Sequence, residues 1–123
     1  MFSTLKDRQK EVPVLSIWHH RAIIDLRQGE RLLIRLSEDP DMGRDWRANM
    51  TSGLQVLDNW FAPSEPSRPL AGGFHYWSIG AKSAGKHIFR AVYRGWNGGN
   101  NLPPLVFQVQ VNIVAEKKSP QAP

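Results

Sequence analysis

Alternation of apolar and polar residues with a period of two recurs along this chain and limits what it can fold into. The clearest case is Val106–Val114, whose apolar positions are Phe107, Val109, Val111 and Ile113. Because successive side chains of a β-strand point to opposite faces, this segment predicts a strand with one buried face. Similar runs recur about every 8 to 12 residues without a convincing helical pattern. They predict an all-β fold, an antiparallel immunoglobulin-like β-sandwich of about seven or eight strands.

The central stretch Ala71–Trp96 predicts two more strands, joined by the reversal Ala84-Gly85. Apolar and polar residues alternate on both sides of this reversal, so we expect the two strands to pair antiparallel as a β-hairpin. Turn chemistry at Gln28-Gly29-Glu30 predicts a second hairpin, between strands at Ala22–Leu26 and Arg31–Leu36.

The domain organisation follows from length and from the distribution of these strands. A chain of 123 residues is typical of one domain. We expect the sandwich over residues 14–114, a flexible N-terminal segment over 1–13 and a disordered C-terminal tail over 115–123. A short first strand is expected at Ser16–His20. The residues expected in the core are Ile34, Trp46, Trp77, Phe89, Val109 and Val111.

Composition excludes several classes of function. The chain has no cysteine, which excludes disulfides, a zinc site of cysteine type and a cysteine nucleophile. The net charge of +5 raises the question of nucleic acid, but basic residues are scattered among acidic ones without a recognisable motif. We therefore expect no nucleic-acid partner. No apolar run approaches the length of a membrane span, so we expect a soluble monomer that does not bind membranes.

The sequence leaves the compartment unknown. The N-terminal residues lack the continuous apolar core of a signal peptide. A periplasmic or secreted location stays open if a signal has been trimmed.

Two groups of residues invite a catalytic or metal-binding interpretation, and neither supports it. His19 and His20 are neighbours in a predicted strand and would point to opposite faces. Asp39, Asp41 and Asp45 match no ion-binding loop, and a solvated acidic loop explains their spacing. We therefore expect no catalytic residue, no metal site and no cofactor.

Three loops carry the clearest indication of function. In an immunoglobulin-like sandwich the connections Asp39–Asp45, Leu70–Gly73 and Arg94–Pro104 can share one end. Their motifs, in chain order, are Asp39-Pro40-Asp41-Met42-Gly43-Arg44-Asp45-Trp46, Ala71-Gly72-Gly73 and Tyr93-Arg94-Gly95-Trp96. This arrangement resembles the chagasin family of cysteine-peptidase inhibitors over about Ile23 to Val114.

The match to the family's loop motifs is partial. The family has Asn-Pro-Thr-Thr-Gly-aromatic before a tryptophan in the first loop, Gly-X-Gly-Gly in the second and Arg-Pro-Trp or Arg-Pro-Phe in the third. Here Asp41-Met42 replaces the threonine pair and Arg44 replaces the aromatic residue. Leu70 takes the place of the first glycine in the second loop, and Gly95 that of the proline in the third.

The resemblance implies a binding protein and not an enzyme. It implies reversible inhibition of papain-like cysteine peptidases, with the three loops contacting the active-site cleft. The residues expected to bind the peptidase are Pro40, Asp41, Met42, Gly43, Gly72, Gly73, Arg94 and Trp96. An alternative stays open, a diverged β-sandwich binding module that uses the same loops for another protein or for a glycan.

Overall fold

The computed structural model describes residues 11–69, 71–95 and 103–116. These residues form eight β-strands and two short 3-10 helices. The first 3-10 helix (Ile17–His19) follows the first strand, and the second (Pro40–Met42) separates the third strand from the fourth. In chain order the strands are β1 (Val14–Leu15), β2 (Ile23–Arg27), β3 (Arg31–Glu38), β4 (Arg44–Met50), β5 (Leu54–Pro63), β6 (Gly73–Ala81), β7 (Gly85–Gly95) and β8 (Leu105–Val114).

The strands form two four-stranded sheets that pack face to face. The first sheet has the order β1-β3-β6-β5 and the second has the order β2-β8-β7-β4. Four neighbouring pairs are antiparallel, whereas β1 with β3 and β2 with β8 are parallel. The prediction of an all-β sandwich of seven or eight strands is confirmed.

Both predicted hairpins are wrong, because the strands that they join belong to different sheets. β6 pairs with β3 and β5, whereas β7 pairs with β4 and β8. Likewise, β2 lies in the second sheet and β3 in the first. The apolar faces of β6 and β7 meet across the core, where the rings of Trp77 and Phe89 make an edge-to-face contact with centroids 5.6 Å apart. Alternation thus identified the buried faces correctly but could not identify the pairing partners.

The predicted first strand at Ser16–His20 is also wrong. β1 ends at Leu15, and the 3-10 helix Ile17–His19 occupies most of the predicted segment. Between β1 and β2 the chain must pass from the edge of one sheet to the edge of the other. It turns here instead of extending, and Arg21 adopts a left-handed conformation with φ of 73°.

The core lies between the two sheets and follows the alternation of the strands. Leu32, Ile34 and Leu36 on β3 have at most 1% of their surface exposed. All six residues predicted for the core are buried, namely Ile34, Trp46, Trp77, Phe89, Val109 and Val111. Burying such side chains contributes about 1.5–3 kcal/mol each before the cost of ordering the chain.

Most of the two predicted terminal segments, 1–13 and 115–123, lies outside the described residues, and their flexibility stays a prediction. Within the described ranges, no helix is long and apolar enough to cross a membrane.

Candidate functional site

The connections expected to bind a partner begin and end at one end of the sandwich, which we name the loop end. It contains the β3–β4 connection (39–43) and the described residues of the β5–β6 connection (64–69 and 71–72) and of the β7–β8 connection (103–104). The strand register brings their flanking residues together, since Gly73 lies opposite both Glu38 and Pro63. In the second sheet Gly95 lies opposite Arg44, and Tyr93 lies opposite Leu105.

The first loop is a preformed turn that presents Met42. Residues Pro40–Met42 form the second 3-10 helix, and Gly43 ends it in a left-handed conformation with φ of 69°. The amide of Gly43 donates to the carbonyl of Pro40 over 3.1 Å, which closes the turn. Asp41 is exposed, Pro40 and Gly43 are half-buried, and the Met42 side chain is 54% exposed. The turn therefore projects a polarisable apolar side chain from a fixed backbone.

The second and third loops contribute the remaining predicted residues. Gly73 is buried, and a Cβ atom there would lie 2.2 Å from the carbonyl oxygen of Ala62, so packing alone requires glycine. Gly72 precedes it and is half-buried. Arg94 is exposed near the end of β7. Trp96 and Leu70 lie outside the described residues.

Arg44 joins the two roots of the third loop. Its side chain is buried, and its Nη2 atom donates to the carbonyl oxygens of Tyr93 and Pro103, each over 2.9 Å. Tyr93 precedes the loop and Pro103 lies near its end. The guanidinium also lies over the Tyr93 ring, 4.7 Å from its centroid. One residue of the second sheet's edge strand thus holds both roots of the third loop.

Tyr93 connects the third loop to the first. The amide of Asp39 donates to the Tyr93 hydroxyl over 2.9 Å, and the Tyr93 ring packs against Trp46 with centroids 4.8 Å apart. Burial raises the pKa of the Tyr93 phenol above its ordinary value, so the group is neutral and able to donate at physiological pH.

A second buried group, Glu38, links the two strands that flank the first loop. One of its carboxylate oxygens accepts the amide of Trp46 over 2.9 Å, and the other lies 3.0 Å from Nδ1 of His75. The Trp46 indole in turn donates to the carbonyl of Ser37 over 2.7 Å. Burial by itself raises the pKa of Glu38, but the hydrogen bonds from His75 and Trp46 outweigh it, and the pKa lies below its ordinary value.

The sequence reasoning missed Glu38, Arg44 and His75, although a signal for them exists. Each lies two positions from a buried apolar residue of its own strand and therefore faces inward. Glu38 follows Leu36 on β3, Arg44 precedes Trp46 on β4, and His75 precedes Trp77 on β6. A charged or polar residue at an inward position needs a partner, because an unpaired buried polar group is costly. The pattern therefore indicated a buried polar network, even though it could not identify the partners.

The described part of the loop end holds no cluster of metal-binding side chains. In residues 11–69, 71–95 and 103–116, no group of three or more His, Asp or Glu side chains could hold a metal ion. What the geometry provides is a hydrogen-bonded base for the loops and a turn that presents Met42, which is an arrangement suited to binding.

Comparison with known families and structures agrees with this arrangement. The sequence model of the family described as Chagasin family peptidase inhibitor I42 matches residues 25–111. The search of curated proteins gave no significant match.

Solved structures show the same fold at low sequence identity. The cysteine protease inhibitor EhICP2 from Entamoeba histolytica superimposes with a TM-score of 0.73 at 13% identity, covering 84% of this chain and 96% of that chain. The solution structure of amebosin gives a TM-score of 0.71 at 21% identity, covering 85% of this chain and 100% of that chain. PbICP-C, solved in complex with falcipain-2, gives 0.55 at 14% identity, covering 85% of this chain and 92% of that chain.

Proposed function

This chain belongs to the chagasin family of peptidase inhibitors, and we propose that it inhibits papain-like cysteine peptidases by inserting the loop end into their active-site cleft. The observation that carries the proposal is the assembly of the loop roots at one end, with a preformed turn that presents Met42. The protein acts as an inhibitor and not as an enzyme, in keeping with its family.

The names of similar proteins support a cysteine peptidase as the target. EhICP2 is described as a cysteine protease inhibitor, and PbICP-C was solved with falcipain-2. The assignment of a cysteine peptidase as the target of this chain rests on family membership, because structural similarity at such low sequence identity shows only a shared fold.

Each loop has a distinct role in the proposed complex. Met42 adapts to the irregular apolar wall of the cleft, since its thioether side chain is flexible and polarisable. The backbone at Gly72 and Gly73 approaches the peptidase closely. Arg94 lies at the rim, and Trp96 supplies the large contact area and indole donor typical of interface hot spots. Pro40, Asp41 and Gly43 hold the turn that carries Met42.

Inhibition of this kind is reversible and involves one inhibitor molecule for each peptidase molecule. The side chains of the binding residues named above include no electrophile that the catalytic thiolate of the peptidase could attack. One molecule should therefore block one peptidase, and the inhibition should be relieved by dilution.

Titration of papain with the purified chain tests the proposal, with Trp96→Ala and Met42→Ala as variants. Trp96→Ala should weaken inhibition by roughly thirtyfold, the equivalent of about 2 kcal/mol lost at an interface. Met42→Ala should cost less, because a flexible side chain is less well fixed. Val114→Ala is the control, an exposed apolar truncation at the opposite end of β8 that should leave inhibition unchanged.

The outcome separates this function from the alternative. Melting curves must first establish that each variant is folded. If the parent chain inhibits no papain-like peptidase at micromolar concentration, the diverged module that binds another protein or a glycan becomes the better explanation. If Trp96→Ala inhibits as well as the parent, insertion of the third loop is wrong.

A further inference from the structure

The first 3-10 helix lies at the loop end, beside the loops already described. β1 runs parallel to β3, with Leu15 opposite Ile34, so the residues that follow β1 run toward the end of β3. A cavity of about 650 Å³ separates the helix from the first and second loops. Its lining includes Ser16, Ile17 and Trp18 on the side of the helix, Asp39 and Gly72 from the first and second loops, and Phe74 from β6.

The helix presents an unusually exposed apolar surface. Trp18 is 89% exposed, the highest value among the large apolar side chains in the described ranges, and Ile17 is 44% exposed. By contrast, Trp46 and Trp77 are buried and Trp60 is 40% exposed. An indole left in water forgoes the stabilisation that burial would give, which is of order 2–3 kcal/mol for a large apolar side chain. Exposed apolar surface at the loop end, where a partner is proposed to bind, is a candidate contact surface.

Hydrogen bonds hold this helix in place. The amide of His19 donates to the carbonyl of Ser16 over 2.8 Å, and the amide of Ser16 donates to Nδ1 of His19 over 2.9 Å. Beyond the helix, Nδ1 of His20 accepts the amide of Gln108 on β8 over 3.1 Å. The helix is thus tied to β8 as well as continuing from β1. A tryptophan presented by a fixed backbone loses little entropy on binding, which favours a role in contacts.

We infer that Trp18, supported by Ile17, is an additional contact element for the same peptidase and packs on the rim of its active-site cleft. This inference rests on the proposed function. The reason for choosing this partner is continuity, because a peptidase that receives the first and second loops also covers the cavity that those loops share with Trp18. An indole buried in this way adds about 150–250 Å² of contact, a sizeable part of the roughly 800 Å² that each partner buries in a typical interface.

The test compares inhibition constants for papain between the parent chain, Trp18→Ala and Trp60→Ala. Trp60 is the matched control, since it is a partly exposed tryptophan that stacks on Tyr76, with centroids 5.1 Å apart, and does not line the cavity. Trp18→Ala should weaken inhibition about tenfold, mainly through faster dissociation, with an unchanged melting temperature. Trp18→Tyr should restore most of the inhibition, because an aromatic ring keeps most of the contact area. Trp60→Ala should inhibit like the parent.

The outcomes distinguish this inference from the function on which it rests. If the parent inhibits papain and Trp18→Ala inhibits equally well, the additional contact is wrong and the three-loop function stands. If Trp18→Ala and Trp60→Ala weaken inhibition to the same extent, the effect is not specific to the loop end and the inference is wrong. If the parent inhibits no papain-like peptidase, the proposed function fails and this inference fails with it.

Discussion

The two ends of the sandwich differ in whether the side chains that form hydrogen bonds there are exposed or buried. At the opposite end, which we name the turn end, the connections 28–30, 51–53 and 82–84 meet. Backbone groups join them there, since the amide of Gly29 donates to the carbonyl of Ala81 and the amides of Lys82 and Ser83 donate to the carbonyl of Gly53. Exposed side chains add to these bonds, as the side-chain amide of Gln28 donates to the carbonyl of Lys82. At the loop end the joining side chains are buried. Glu38 links the two strands that flank the first loop, and Arg44 and Tyr93 link the first loop to the third.

The difference follows from what each end has to do. Short connections can lie close enough for their backbones to pair. Loops that contact a partner must be fixed where they leave the strands. Buried side chains such as Arg44 do this without covering exposed contact residues such as Met42. We therefore expect the loop end to be far more sensitive to side-chain substitution than the turn end.

The largest effect is expected from removing the carboxylate of Glu38. Glu38→Ala deletes the acceptor of the buried Trp46 amide and the partner of His75, and it leaves a buried donor unpaired. Hydrogen bonds to charged groups contribute about 1.5–3 kcal/mol each, so the free energy of unfolding should fall by about 3 kcal/mol in urea denaturation. The matched control is Glu30→Ala at the turn end. The Glu30 carboxylate accepts the amide of Arg27 in an exposed position, and its removal should cost about 1 kcal/mol or less.

The dependence of stability on pH checks the same carboxylate. The pKa of folded Glu38 lies below its ordinary value of 4.5, so its ionised form stabilises the fold above about that pH. This contribution is lost as the pH falls through the folded pKa. The stability difference between the parent and Glu38→Gln should therefore be largest above about pH 4.5 and should shrink progressively as the pH falls below that value. A difference that does not change with pH would mean that the charge of Glu38 contributes nothing.

The next largest effect is expected at Arg44. Arg44→Met keeps an apolar stem but removes the donor that joins the carbonyls of Tyr93 and Pro103. We expect a loss of about 2 kcal/mol in stability, because replacing a buried charge with an apolar residue offsets part of the lost hydrogen bonding. Inhibition of papain should weaken by about tenfold or more, since the roots of the third loop separate. Arg44→Lys should recover part of the inhibition, because it restores the charge on a shorter side chain.

A further control separates loop positioning from general loss of stability. Leu54→Ala truncates a buried core residue at the turn end and should cost about 2 kcal/mol or more. It should leave the inhibition constant unchanged under conditions in which the variant is fully folded. Equal weakening of inhibition by Arg44→Met and Leu54→Ala would contradict a positioning role for Arg44.

The sequence predicted the buried faces well, and the pairing of strands poorly. Alternation identified Trp77 and Phe89 as inward residues, and both are buried. It could not show that these residues face each other from different sheets, because period-two alternation specifies a face and not a neighbour. The same limit explains why the turn at Gln28-Gly29-Glu30 was interpreted as a hairpin although it connects the two sheets.

The sandwich topology and the family resemblance indicate which loops form the candidate site, but they do not indicate the residues that fix the ends of those loops. Arg44 lies 49 positions from Tyr93 and 59 from Pro103, and no local pattern relates residues so far apart. Asp39 reaches the hydroxyl of Tyr93 across a separation of 54 positions. In the sequence, Arg44 is only a replacement for an aromatic residue. In the structure, Arg44 lies two positions before Trp46 on β4 and faces inward like it, so its guanidinium reaches the carbonyl oxygens of Tyr93 and Pro103.

The smallest expected effect compares one glycine from each end of the molecule. Gly43 and Gly29 have positive φ angles of 69° and 94°, and a Cβ atom added at either would meet nothing within 4 Å. Alanine should therefore cost about 1 kcal/mol of backbone strain at either position, and the two variants should have similar melting temperatures. Gly43→Ala also displaces the turn that presents Met42, so it alone should weaken inhibition, by about threefold to tenfold. If the two variants inhibit equally well, the geometry of the first loop contributes nothing to binding, and the two ends differ only in how they are hydrogen-bonded.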